Sequence, residues 1–103
     1  MSSRVKQARR AAGEVFSLGA AGAGDVGVIV QVGGETDTEN LGRTELERRL
    51  LEMGFVEGAK VTVLHEGFIG RDPIAVQLDD MRVALRRREA ADVMVRSLAP
   101  EPG

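Results

Sequence analysis

The sequence predicts a mainly β fold: a small barrel of about five short strands with one short amphipathic helix over about 44–53 and room for a helical turn near 86–92. Three observations predict it. Thirteen of the 103 residues are Gly, which sets turns at short intervals and favours short strands over long helices. Apolar residues recur with a period of two in several separate runs, the spacing of half-buried strands. Only one stretch carries the helical period. A chain of this length builds a single core, and closure protects so many short strands because a barrel removes the edges on which sheets aggregate.

Residues 1–15 are basic and Ala-rich and are expected to form a flexible tail; 16–98 form the domain and 99–103 a second tail. Arg4, Lys6, Arg9 and Arg10 ahead of the softer run Val15 to Ala23 imitate a secretory leader. Glu14 interrupts the approach and the run is mostly Gly and Ala, so the reading is a solvated tail and a cytoplasmic protein. Val26-Gly27-Val28-Ile29-Val30-Gln31-Val32 is β-branched almost throughout and reads as a strand. Gly33-Gly34 ends it, and a polar loop runs to about Arg43. Thr44-Glu45-Leu46-Glu47 fits a capping box at a helix start. Leu46, Leu50 and Met53 then share one face at i, i+4 and i+7, while Glu45/Arg49 and Arg48/Glu52 are spaced for i,i+4 ion pairs. Gly54 is placed to end the helix in the left-handed region, with Phe55 folding back on Leu50 in a Schellman contact.

Beyond the helix, Gly58 turns the chain, and Ala59, Val61 and Val63 share a face opposite Lys60 and Thr62. Gly67 to Pro73 reads as a turn-rich loop. Ile74, Val76 and Leu78 alternate with polar or small residues, Asp79-Asp80 reverses the chain, and Met81, Val83 and Leu85 alternate again. That is a hairpin. Val93-Met94-Val95 supplies a closing strand, and Pro100 and Pro102 mark a loose end.

Composition excludes several kinds of chemistry. With no Cys there is no disulfide framework, thiol nucleophile or Cys-based zinc site. A single His cannot build a poly-His metal centre. Three Phe with no Trp or Tyr argue against aromatic grooves for proline-rich peptides, as in signalling SH3 domains, and against stacking platforms for nucleic acid. A net charge of −2 from 14 basic and 16 acidic residues carries no footprint for nucleic acid or an anionic membrane. No apolar stretch approaches the length of a membrane span.

Several motifs invite a chemical reading and have a plainer one. Gly22-Ala23-Gly24-Asp25-Val26-Gly27 spells the dinucleotide fingerprint, but a β-branched run follows where the motif needs a helix; it reads as a turn into the first long strand. No Walker-type Gly-x-x-x-x-Gly-Lys run is present. Glu35, Asp37 and Glu39 open like a calcium loop, yet Asn40 stands where its Gly belongs and Leu46 where its closing Glu belongs. His65, in phase with Val61 and Val63 beside Glu66, is a weak candidate metal ligand; full ligation needs further carboxylates, and a strand-end histidine with one hydrogen bond is the plainer reading. Ser2, Ser3, Ser17 and Ser97 have no second His to serve as base, so no catalytic residue and no cofactor are expected. Of Arg86-Arg87-Arg88, three consecutive residues cannot share one face; one is expected to pair within the fold, with Glu89 or Asp92, leaving the others solvated and open to a docking role.

The run Leu50-Leu51-Glu52-Met53-Gly54-Phe55-Val56-Glu57-Gly58-Ala59-Lys60-Val61-Thr62-Val63 resembles the signature of the FeoA family. Gly70-Arg71-Asp72-Pro73-Ile74 is similar to that family's Gly-Asp-Pro-Ile loop with one Arg inserted. Ala84-Leu85-Arg86 followed by Glu89-Ala90 resembles its Leu-Arg-x-x-Glu-Ala segment. The resemblance runs from about Phe16 to Leu98 and implies an SH3-like barrel. It also implies a non-enzymatic, cytosolic accessory of ferrous iron uptake that needs no cofactor and acts with the FeoB permease and its GTP-binding domain. Leu50, Met53, Gly54, Phe55, Gly58, Leu85, Arg86, Glu89 and Ala90 are then mostly folding constraints. The expected docking residues are Phe68, Ile69, Gly70, Arg71, Asp72 and Pro73, because two large apolar residues in a Gly-flanked loop call for a partner. A second reading is an iron-responsive regulatory module that binds a divalent metal through His65 and carboxylates, or docks on an intracellular regulator. The sequence leaves the oligomeric state open.

Overall fold

The computed structural model describes residues 10–33 and 41–98. The elements in chain order are β1 (Val15–Ser17), a 3-10 turn (Leu18–Ala20), β2 (Val26–Val32), α1 (Leu41–Met53), β3 (Lys60–Ile69), β4 (Asp72–Leu78), β5 (Met81–Leu85), α2 (Arg87–Ala90) and β6 (Val93–Ser97). Among the described residues six strands form one sheet in the order β1-β6-β2-β3-β4-β5, antiparallel at every pairing; β1 and β5 lie at its two edges without pairing to each other, so the hydrogen-bonded ladder does not close as the sequence led us to expect. The architecture is mainly β and SH3-like, as expected, with one strand more than the alternation suggested. The extra strand is β1, too short for a period to show. It pairs Phe16 with Val95, and Arg10 lies over the Phe16 ring, 4.1 Å from its centroid, while holding Asp25 at 3.2 Å. Arg10 and Val15, ahead of Phe16, thus belong to the fold. The segment carrying Glu35, Asp37 and Glu39 lies outside the described residues, as do 1–9 and 99–103.

The core follows the strand pattern. Ala59, Val61 and Val63 are buried from β3 and its approach, Ile74, Val76 and Leu78 from β4, Leu85 from β5, and Val93 and Val95 from β6. Each set alternates, so each strand turns one face inward. Asp79 makes the β4–β5 reversal at a φ of 52°, and its N–H donates to the Lys60 carbonyl at 3.0 Å.

At the end of α1 the backbone does what the residues prescribe. Gly54 lies at a φ of 110°; its N–H donates to the Leu51 carbonyl and that of Phe55 to the Leu50 carbonyl, both at 3.0 Å. These two bonds define a Schellman motif, completed by Leu50 and Phe55, both buried. The Cβ of an alanine at 54 would also meet Leu78 at 3.3 Å. Gly54→Ala is therefore expected to cost about 1–2 kcal/mol, the left-handed penalty, read by urea denaturation.

The other end of α1 departs from expectation. The helix already runs at Leu41, so Thr44 lies inside it and Thr44-Glu45-Leu46-Glu47 is not its capping box. One Gly costs a helix about 1 kcal/mol relative to Ala, so Gly42 does not stop it. Leu46 and Leu50 pack on the core, but Met53, at 37% exposure, lies at the margin of the apolar face. The expected i,i+4 pairs do not form; Arg48 instead reaches Glu45, at i,i+3, across 3.3 Å in solvent.

Candidate functional site

Gly67 to Pro73 is no loop. β3 runs to Ile69, Ile69 pairs with Asp72, and only Gly70 and Arg71 remain between the strands. Both have positive φ, 66° and 62°, the requirement of a type I′ hairpin turn, whose twist matches that of the strands it joins. Between Glu66 and Ile69 the register gains one residue on β3, a bulge that re-aims the side chains beyond it. Gly67 permits it: a Cβ there would sit 2.3 Å from the Asp72 carbonyl oxygen. The Asp72–Pro73 peptide is cis.

The bulge presents Phe68 fully to solvent, at 103% exposure, with Ile69 at 84%. Gly67, Phe68, Ile69, Asp72, Pro73 and Arg86 line a hollow of about 570 Å³ beside the turn. The structure thus brings Phe68, Ile69, Asp72 and Pro73 together, with Gly70 and Arg71 forming the turn itself. Arg86, read as a folding residue, reaches the same hollow. Its N–H donates to Glu89 Oε1 at 2.8 Å, and Leu85 and Ala90 on either side are buried.

Two residues at the base of the hairpin were not singled out by the sequence as a pair. The Arg87 guanidinium, whose side chain is only 21% exposed, donates to Glu66 Oε1 at 2.9 Å. It also donates to the carbonyls of Ala21 (2.6 Å), Gly19 (3.2 Å) and Arg71 (2.9 Å). The Arg87 backbone N–H donates to Asp72 Oδ1 at 2.9 Å. Glu66 Oε2 accepts from the Ala23 N–H at 2.9 Å. One arginine of the run does pair within the fold, but with Glu66 across the barrel rather than with Glu89 or Asp92, because α2 aims residue 87 back at β3. This knot also gives Gly22-Ala23-Gly24 a plain role: it is the turn that Glu66 and Asp25 hold, and β2 follows it.

His65 is not in phase with Val61 and Val63. Val63 pairs with Val76 but His65 with Ala75, so Leu64 is an extra residue and the alternation reverses beyond it. His65 is exposed, and no hydrogen bond to it is seen among the described residues. Among those residues no three His, Asp or Glu side chains converge on a point that could hold a metal. Ser17 Oγ donates to the Ala91 carbonyl at 2.7 Å, and Ser97 is buried. No described helix is long and apolar enough to cross a membrane.

Fold and surface together define a class: a small SH3-like β-barrel that offers a projecting apolar hairpin. Residues 16–97 match the FeoA domain, and the chain belongs to the FeoA family. It is 38% identical over 76 residues to an Fe(2+) transport protein A/Fe(2+) transporter FeoB fusion protein of Porphyromonas gingivalis. That match covers 74% of this chain and 8% of the much longer fusion. Among solved structures, the FeoA protein of Chlorobium tepidum is 33% identical with a TM-score of 0.65, the alignment covering 85% of this chain and 75% of that one. The zinc-complexed FeoA of Stenotrophomonas maltophilia, described as a prokaryotic SH3 domain protein, is 31% identical with a TM-score of 0.62, covering 78% and 88%.

Proposed function

We propose that this protein is a non-enzymatic, cytoplasmic accessory of bacterial ferrous iron uptake. It docks through its β3–β4 hairpin on the cytosolic, GTP-binding portion of an FeoB-type permease and thereby alters transport or GTP turnover. The observation that carries this reading is Phe68, wholly exposed beside Ile69 at the tip of a tight turn. Large apolar side chains held out from a fold mark an interaction site. The permease as partner is supported by the relative in which transport protein A and FeoB form one chain, and the role by the Stenotrophomonas protein, described as a candidate activating factor for ferrous iron transport.

Phe68→Asp tests it. A fully exposed residue changes stability by only about 0.5 kcal/mol when replaced, so the variant reads docking rather than folding. In calorimetric titration against the cytosolic portion of the permease from the same genome, the wild type is expected to bind and Phe68→Asp to lose binding. Equal binding by both would remove the hairpin from the interface.

A further inference from the structure

The charges around the hairpin are sorted by the fold. Among the described residues, the two carboxylates nearest the hairpin face inward: Glu66 holds the Arg87 guanidinium and the Ala23 N–H, and Asp72 accepts from the Arg87 backbone. Glu89 accepts from the Arg86 N–H and borders a separate groove beside α1. Among the described residues, Arg71 and Arg86 face outward around Phe68 and Ile69. The Arg71 side chain is 79% exposed, with Glu66 no nearer than 3.9 Å, and Arg86 is exposed on the wall of the hollow. In a chain of net charge −2, this is a local reversal of sign.

Resting on the docking function above, we propose that the hairpin fits a protein surface presenting an apolar socket bordered by carboxylates. Phe68 and Ile69 enter the socket, while Arg71 and Arg86 meet its acidic border, where a guanidinium fork matches a carboxylate in two parallel hydrogen bonds. Arg87 does not touch the partner. It is a positioning residue, tying the Arg71 carbonyl and Asp72 to the barrel so that the tip is aimed before contact, which lowers the ordering cost of binding. The concave hollow beside Phe68 favours a partner with relief over a flat anionic lipid surface.

The test is titration of the full chain against the cytosolic GTP-binding portion of the permease, at low and high salt. Alongside it runs co-sedimentation with vesicles of phosphatidylglycerol and phosphatidylethanolamine. Charge pairs at an interface border act on association rate and salt dependence, so Arg71→Glu/Arg86→Glu is expected to weaken Kd about ten-fold at low salt, with the gap narrowing at high salt. Arg87→Gln is expected to weaken binding while raising backbone mobility of residues 68–72 in NMR relaxation; unchanged mobility would overturn its positioning role. If the double variant binds like wild type while Phe68→Asp does not, docking stands and the acidic border is overturned. If Phe68→Asp binds like wild type, the docking function itself fails and this proposal with it. Sedimentation with vesicles that Phe68→Asp abolishes, without permease binding, overturns the protein socket in favour of lipid. Should the double variant fail to fold by circular dichroism, a wild-type Kd that ignores salt overturns the proposal.

Discussion

Phe55→Ala is expected to destabilise the protein by about 3–5 kcal/mol, the cost of removing a buried ring and leaving its cavity. The ring is fully buried in a core it shares with Ile29, Leu50, Val61 and Leu78. Phe55 also follows the left-handed Gly54, and its N–H closes the Schellman bond to Leu50. One side chain therefore joins the end of α1 to the barrel. Domains of this kind hold about 5–15 kcal/mol in total, so the loss is a large fraction of stability. Urea denaturation checks it, with Phe68→Ala as the control. The exposed ring at 68 is expected to change stability by no more than about 0.5 kcal/mol. Equal midpoints for the two variants would show that the helix is not anchored through Phe55.

Gly27→Ala is expected to cost about 3 kcal/mol, at the upper end for forcing atoms into a packed interior. A Cβ at 27 would lie 2.4 Å from both the Arg96 carbonyl oxygen and Val95 Cγ1. The first is backbone of the neighbouring strand β6, where Gly27 pairs with Ser97, so relief requires β2 and β6 to part. Gly58→Ala separates this effect from conformational strain. Nothing lies within 4 Å of a Cβ at 58, and only its φ of 93° resists the change, a cost of about 1–2 kcal/mol. Thermal unfolding should rank Gly27→Ala well below Gly58→Ala; the reverse order would mean that β2 and β6 separate readily.

The parts of the fold legible in the sequence are those decided within a few residues. The Schellman end of α1 needs only Leu50, Gly54 and Phe55, and the β4–β5 hairpin only its alternation and Asp79. Bulges were not legible. Nothing in Val63-Leu64-His65 marks Leu64 as the extra residue, yet it turns His65 outward and removes it from the face of Val61 and Val63. The bulge ahead of Ile69 is likewise set by the partner strand. For that reason a Gly-rich segment that reads as a loop is instead a tight hairpin that exposes Phe68. At the candidate site, Phe68 and Ile69 stood out by their chemistry, whereas Arg86 joined them only through the folding of the β5–α2 junction.

By itself the sequence determined the mainly β class, the inward face of most strands, the stop of the helix, the absence of cysteine chemistry and the family. Each rests on local preference, periodicity or the order of motifs along the chain. Only the tertiary structure decided which arginine of Arg86-Arg87-Arg88 turns inward and what it holds. Arg87 reaches Glu66 across 21 positions, Ala21 across 66 and Gly19 across 68. Contacts that distant depend on how the strands wrap around one core, and no local preference encodes them.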